Sequence, residues 1–116
     1  MLFRSEVVGH VKGRTCILVD DMIDTGGTIV KAADALFEQG AERVIVAATH
    51  GVLSGPAIDT LKNSRISEVV ITNTLPVAQE KRFDKLTVLS IAPLIARAIN
   101  EVFSDGSVTS LFDGQS

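Results

Sequence analysis

The run Val19-Asp20-Asp21-Met22-Ile23-Asp24-Thr25-Gly26-Gly27-Thr28 constrains this chain more than any other feature. It follows the apolar stretch Cys16-Ile17-Leu18-Val19 and precedes a helix-like stretch over 29–39. The pattern predicts a buried strand that ends in two carboxylates, a tight Thr/Gly turn, and a helix starting from that turn. Such a turn presents several backbone N–H groups and the positive end of a helix dipole to one phosphate group. Carboxylates beside it are suited to sugar hydroxyls or to a hydrated Mg²⁺. A sugar phosphate needs both kinds of contact close together.

Each residue type in the run has a physical reason to be there. Gly26 and Gly27 lack a Cβ, so the chain can turn with positive φ and approach a ligand closely. Thr25 and Thr28 add hydroxyl donors, and Thr28 is placed to cap the helix. Asp20 and Asp21 fall at the carboxyl end of a strand, where an open α/β sheet binds its ligands. Asp24 lies in the turn, near the place of a reacting sugar carbon. Turn geometry alone accounts for the glycines. It does not account for three Asp in five positions, because like charges at short range repel. The run is neither a GxGxxG fingerprint nor a Walker A loop, since no Gly-Lys-Ser/Thr follows.

The run resembles the phosphoribosyl-diphosphate binding motif of the type I phosphoribosyltransferase fold. With its flanks, over 13–28, it is similar to the ribose-phosphate pyrophosphokinase family in particular. Ala48-Thr49-His50-Gly51-Val52-Leu53-Ser54-Gly55-Pro56-Ala57 carries the same resemblance. So do Thr72-Asn73-Thr74 and Ser107-Val108-Thr109-Ser110-Leu111-Phe112-Asp113-Gly114. The motifs occur in order over nearly the whole chain from about Glu6. The resemblance implies transfer of the β,γ-diphosphoryl group of ATP to the C1 hydroxyl of ribose 5-phosphate, with Mg²⁺. It also implies that Asp20, Asp21, Asp24, Thr25, Gly26, Gly27 and Thr28 hold ribose 5-phosphate. The 5-phosphate would sit on the 25–28 turn. Asp20 and Asp21 would take the metal, through water or ribose hydroxyls.

Family members are more than twice this length and carry two similar domains. The resemblance assigns residues 1–116 to the second, as a single domain with a docking tail over 104–116. In the family, ATP is held largely by first-domain residues, and an upstream His and Asp bind metal. A basic loop just before this region stabilises the transferring diphosphate. Met1–Ser5 stands where that loop would end and does not match it; Arg4, Lys12 and Arg14 do not replace it. Phosphoryl transfer depends on positioning and on neutralising developing charge. The expectation is a chain that binds ribose 5-phosphate or phosphoribosyl diphosphate. It would meet ATP only with a further domain, and it would not turn over alone. Two other readings remain at this point. One is a freestanding phosphoribosyltransferase with Asp24 as base, though no aromatic stands ready to stack on a nucleobase. The other is a non-catalytic partner that assembles with a synthetase.

Composition narrows the classes. The chain has 116 residues, enough for one domain. Hydrophobic residues make up 46% but aromatics only 4%, with no Trp or Tyr, so the core must be aliphatic and Ala-rich. Base-stacking platforms are lacking and the net charge is −3, which disfavours a nucleic-acid binder. Cys16 is the sole cysteine and reads as a buried structural thiol. No stretch has the length of a membrane span and no signal-peptide pattern opens the chain, so a cytoplasmic protein is expected. The family's hexameric arrangement implies a homo-oligomer, or assembly with a synthetase subunit.

Strand and helix patterns alternate along the sequence. Strands are predicted over 6–11, 15–19, 43–49, 68–72 and 86–90. Helices are predicted over 28–39, 57–62 and 94–103, the last with Leu94, Ile95, Ala98, Ile99, Val102 and Phe103 on one wide apolar face. Gly40 is a helix stop. The alternation implies an α/β fold, a doubly wound, mainly parallel sheet flanked by helices. His50 follows a strand at the motif's end of the sheet; it is either close to a ligand or a loop histidine satisfied by backbone groups. His10 has no second His or Cys at metal-ligand spacing. Thr72-Asn73-Thr74 ends a strand on the same side. Glu80-Lys81-Arg82 reads as a solvated loop, or as a basic pair that touches a phosphate from a neighbouring chain.

Overall fold

The computed structural model describes residues 9–104. Its elements run β1 (Thr15–Ile23), α1 (Gly27–Glu38), β2 (Arg43–Gly51), α2 (Ala57–Lys62), β3 (Glu68–Thr72), β4 (Leu86–Leu89) and α3 (Ala92–Phe103). A short 3-10 turn spans Gln79–Lys81. The four strands lie in the order β1-β2-β3-β4, and every neighbouring pair is parallel. This is the parallel α/β sheet with flanking helices that the alternating pattern implied.

Register and crossover sense place the core. Leu18 pairs with Val46, Asp20 with Ala48, and Val46 with Val69. Alternate residues of each strand therefore share a face. Strands added sequentially by right-handed crossovers carry successive helices to the same face. α1 and α2 accordingly touch each other. Together they bury Ile29, Ala33, Ala57 and Leu61 in one cluster with Val44, Val46, Val69 and Ile71. The core is aliphatic, as composition required, and among the described residues it contains no buried polar or charged side chain.

The opposite face is open among the described residues. Ile17 is 62% and Val19 79% exposed, so the expectation of a buried motif strand fails. β1 forms one edge of the described sheet and alternates in burial instead. Cys16 is half-buried for the same reason. β2 buries Val44, Val46 and Ala48 on one face, while Ile45 and Ala47 on the other are only half-buried. α3 buries no residue, and Phe103 on its apolar face is 85% exposed.

Helix α1 ends by a local device. Gly40 adopts φ 94°, the Gly40 N–H donates to the Phe37 carbonyl at 3.0 Å, and the Ala41 N–H donates to Leu36 at 3.0 Å. This left-handed closure satisfies carbonyls that the helix leaves free, which is why glycine stops it here. The predicted helix over 57–62 and strand over 68–72 have the observed bounds. Residues 9–11 form no strand, and the remainder of the strand expected over 6–11 lies outside the described residues. The expected docking tail lies outside them beyond Ser104.

Candidate functional site

β1 continues past Val19 to Ile23, so Asp20, Asp21 and Met22 belong to the strand itself. Asp20 sits opposite Ala48, and Met22 opposite His50, at the carboxyl end of the sheet. The chain then turns through Asp24, Thr25 and Gly26 into α1. Gly26 is the N-cap, with φ 87° in the left-handed region. A Cβ there would meet Leu61 Cγ of α2 at 3.4 Å, so conformation and packing both demand glycine. Gly27 is the first helical residue, and a Cβ there would meet nothing within 4 Å. Thr28 lies inside the helix and does not cap it; α1 has no side-chain cap.

The missing cap matters. The first N–H groups of a helix have no partner within it. Among the described residues the N–H groups of Thr25, Gly26, Gly27 and Thr28 donate to no protein acceptor. They face the same end of the sheet as the carboxylates. A cavity of about 440 Å³ at this end is lined by Asp20, Asp21, Asp24, Thr25, Gly26 and Thr28, with Met22, Ile23 and Ile29. The fold thus brings together six of the seven residues singled out in the sequence, and Gly27 opens α1 beside them.

The carboxylates are wet and close. Asp20 Oδ1 accepts the Asp21 N–H at 2.8 Å. The Asp20 side chain and the Met22 N–H hold the Asp21 carboxyl below its ordinary value of 3.8, and His50 adds a weaker attraction. Asp21 is therefore anionic at neutral pH.

Two further loops frame the turn. In the loop after β2, the Val52 and Leu53 N–H groups both donate to the Ile23 carbonyl at 3.0 Å. The Ser54 N–H donates to the Asp24 carbonyl at 3.0 Å, and the Ser54 hydroxyl donates to Asp24 Oδ1. Leu53 holds φ 54° with its side chain buried, an unusual backbone for a bulky residue. In the loop after β3, the Thr72 hydroxyl donates to the Thr49 carbonyl at 2.6 Å and that of Thr74 does so at 3.3 Å. His50 Nδ1 lies 2.7 Å from Thr74 Oγ1. The Thr74 hydroxyl donates to Nδ1 in one imidazole tautomer and accepts Nδ1–H in the other. His50 is therefore tied to a side chain and not to backbone. Asn73 Oδ1 accepts the Ile91 N–H at 2.9 Å and so fixes the start of α3. Lys81 reaches the Val52 carbonyl at 3.5 Å, on the loop that frames the turn. His10 is exposed, and among the described residues no group of three His, Cys, Asp or Glu is placed to hold a metal ion.

Sequence reasoning quoted Ser54 within the 48–57 stretch but missed it as a site residue. Its partner Asp24 is 30 positions away, and no local pattern encodes that pairing.

A parallel four-stranded sheet with flanking helices, whose motif strand leads through an uncapped turn into a helix, defines an α/β domain with an open turn at the carboxyl end of its sheet. The chain belongs to the phosphoribosyl synthetase-associated domain family, whose pattern it matches over residues 4–113. It is 76% identical over 110 residues to a ribose-phosphate pyrophosphokinase of Streptomyces coelicolor, covering 95% of this chain and 34% of that one. It is 61% identical over 110 residues to that of Mycobacterium tuberculosis, with the same coverage of 95% and 34%. The crystal structure of phosphoribosylpyrophosphate synthetase from Mycobacterium smegmatis superposes with a TM-score of 0.79 at 62% identity, over 85% of this chain and 33% of that one. The chain thus spans about a third of the length of the relatives it matches.

Proposed function

We propose that this chain supplies the ribose 5-phosphate-binding domain, the second of two, of a ribose-phosphate pyrophosphokinase. The observation that carries the reading is the uncapped turn 25–28, with free N–H groups beside Asp20 and Asp21 at one end of the sheet. The N–H groups take the 5-phosphate, where four donors and the helix dipole favour an anion. The carboxylates take the ribose hydroxyls and fix the orientation of the sugar.

The donor set suits Mg²⁺. Asp20 and Asp21 offer hard oxygen ligands, and the cation keeps most of its waters when bound by one or two carboxylates and substrate oxygens. That fits a site whose carboxylate pair has no third His, Cys, Asp or Glu arranged with it to enclose a metal ion among the described residues. When bound, Mg²⁺ neutralises phosphate charge. The residues of this chain bind the sugar phosphate, hold its C1 hydroxyl in one place and accept its neighbouring hydroxyls. Transfer of a diphosphoryl group needs an ATP site and cationic groups around the leaving oxygen. These 116 residues carry neither in recognisable form. The 116-residue chain therefore binds substrate without turning it over. It would act in the cytoplasm, as a homo-oligomer or with a synthetase subunit.

Calorimetric titration of the purified chain with ribose 5-phosphate, with and without Mg²⁺, tests this, with ATP turnover assayed on the same sample. Saturable, Mg²⁺-strengthened binding without turnover is the expected result. Turnover would refute the division of labour, and no binding would refute the site.

A further inference from the structure

Asp24 occupies an awkward place. Its carboxylate stands two residues before the N-cap of α1, beside the unpartnered N–H groups of 25–28. An Asp side chain at such a position readily accepts N–H groups two or three residues on. If it did so here, it would occupy the donors that an anionic ligand needs and would repel that ligand besides. It does not do so, because α1 has no side-chain cap. Instead the Asp24 carboxylate is engaged by the Ser54 hydroxyl.

The loop carrying Ser54 is held rigidly against the turn. Leu53 is 1% exposed, locked in the core with left-handed backbone, and its N–H and that of Val52 close on the Ile23 carbonyl. The Ser54 N–H fastens the Asp24 backbone, and the Ser54 carbonyl accepts the Ala57 N–H at 3.1 Å as α2 begins. Ser54 is thus fixed from both sides, and its hydroxyl has a defined direction.

We propose that Ser54 is a positioning residue that holds the Asp24 carboxylate away from the N–H donors of the turn, leaving them free for the ligand's phosphate. This rests on the sugar-phosphate reading of the turn. Asp24 keeps its second oxygen for a sugar hydroxyl, while Ser54 keeps the first from competing with the phosphate.

A double-mutant cycle with Ser54→Ala and Asp24→Ala tests it, read by titration with ribose 5-phosphate and with inorganic phosphate, alongside thermal melting. Ser54→Ala alone should weaken both ligands about tenfold, the scale of one hydrogen bond to a charged group. In the Asp24→Ala background the same substitution should change affinity less than twofold, because no carboxylate remains to be restrained. Ser54→Thr, which keeps the hydroxyl, should restore binding. A purely structural serine would lower affinity and melting temperature equally in both backgrounds, and that result overturns the inference. So does wild-type affinity in Ser54→Ala. If the wild-type chain binds neither ligand while remaining folded, the sugar-phosphate reading itself fails, and this inference falls with it.

Discussion

Gly27→Ala separates the architecture of the turn from its use. Gly27 is the first residue of α1, lies outside the positive-φ region, and has open space where its Cβ would stand. Nothing in the fold demands glycine there. Alanine at a compatible position stabilises by about 0.4–1 kcal/mol, mainly by restricting the unfolded chain. For a domain of this size that corresponds to a rise in melting temperature of roughly 2–8 °C. Gly26→Ala is the control. It forces alanine into the left-handed region at φ 87° and brings its Cβ to 3.4 Å from Leu61 Cγ. It should cost about 1–2 kcal/mol. On the proposed reading the phosphate packs against this turn, so a methyl at Gly27 should crowd it and ligand binding should move the other way. We expect ribose 5-phosphate affinity to fall at least tenfold, about 1.4 kcal/mol, in a protein that melts higher than wild type. Calorimetry and thermal melting on one preparation report both quantities. A more stable Gly27→Ala that binds within twofold of wild type would refute the assignment of the phosphate to this turn. A less stable one would refute the backbone argument. Gly27→Val, with a larger obstruction at the same point, should abolish binding.

Asp20→Ala combined with Asp21→Ala should weaken Mg²⁺-dependent binding of ribose 5-phosphate about tenfold or more, with the melting temperature within a few degrees of wild type; unchanged affinity would remove these residues from the site. The folded-state pKa of Asp21 lies below the ordinary 3.8, so its stabilising contribution is present above that value and is lost as pH falls through the lower folded value. An NMR titration of the Asp21 carboxyl carbon should give a midpoint under 3.8, and a midpoint at or above it contradicts the contacts with Asp20 and Met22. Gly51 pairs with Ile23 at the end of β2, and a Cβ there would collide with Ile71 Cδ1 in the core. Gly51→Ala should therefore destabilise by about 1–3 kcal/mol in chemical denaturation, and Ile71→Val, which removes that methyl, should recover part of the loss.

Much of the fold is legible in single residues because the relevant forces are local. The alternation of apolar runs with helical spacing located every described strand and α-helix, though not the short 3-10 turn at Gln79–Lys81. Ala57–Lys62 and Glu68–Thr72 came out residue for residue, since Pro56 before the helix and the Val-Val-Ile-Thr run are strong local signals. The motif strand is different. Its apolar run Cys16-Ile17-Leu18-Val19 reads as buried on both sides, yet Val19 is 79% exposed. Hydrophobicity records that a face is fit for burial; it does not record what covers it. The apolar face of α3 shows the same gap, for Ile95, Ile99, Val102 and Phe103 match the helical period and remain exposed.

The candidate site divides along the same line. Asp20, Asp21, Asp24 and the Thr/Gly turn stand within nine consecutive positions, so their meeting needs only a strand, a turn and a helix start. Chain connectivity alone brings them to one end of the sheet. The parts that hold the turn in place come from elsewhere: Leu61 under Gly26, His50 tied to Thr74, and Ser54 on the Asp24 carboxylate. Those pairings join residues 24 to 35 positions apart, and they depend on β2 and β3 lying parallel to β1 in register. Adjacency along the chain is enough to name the residues of the candidate site. How that site is braced and which apolar faces stay open depend instead on the order in which strands pack across the sheet.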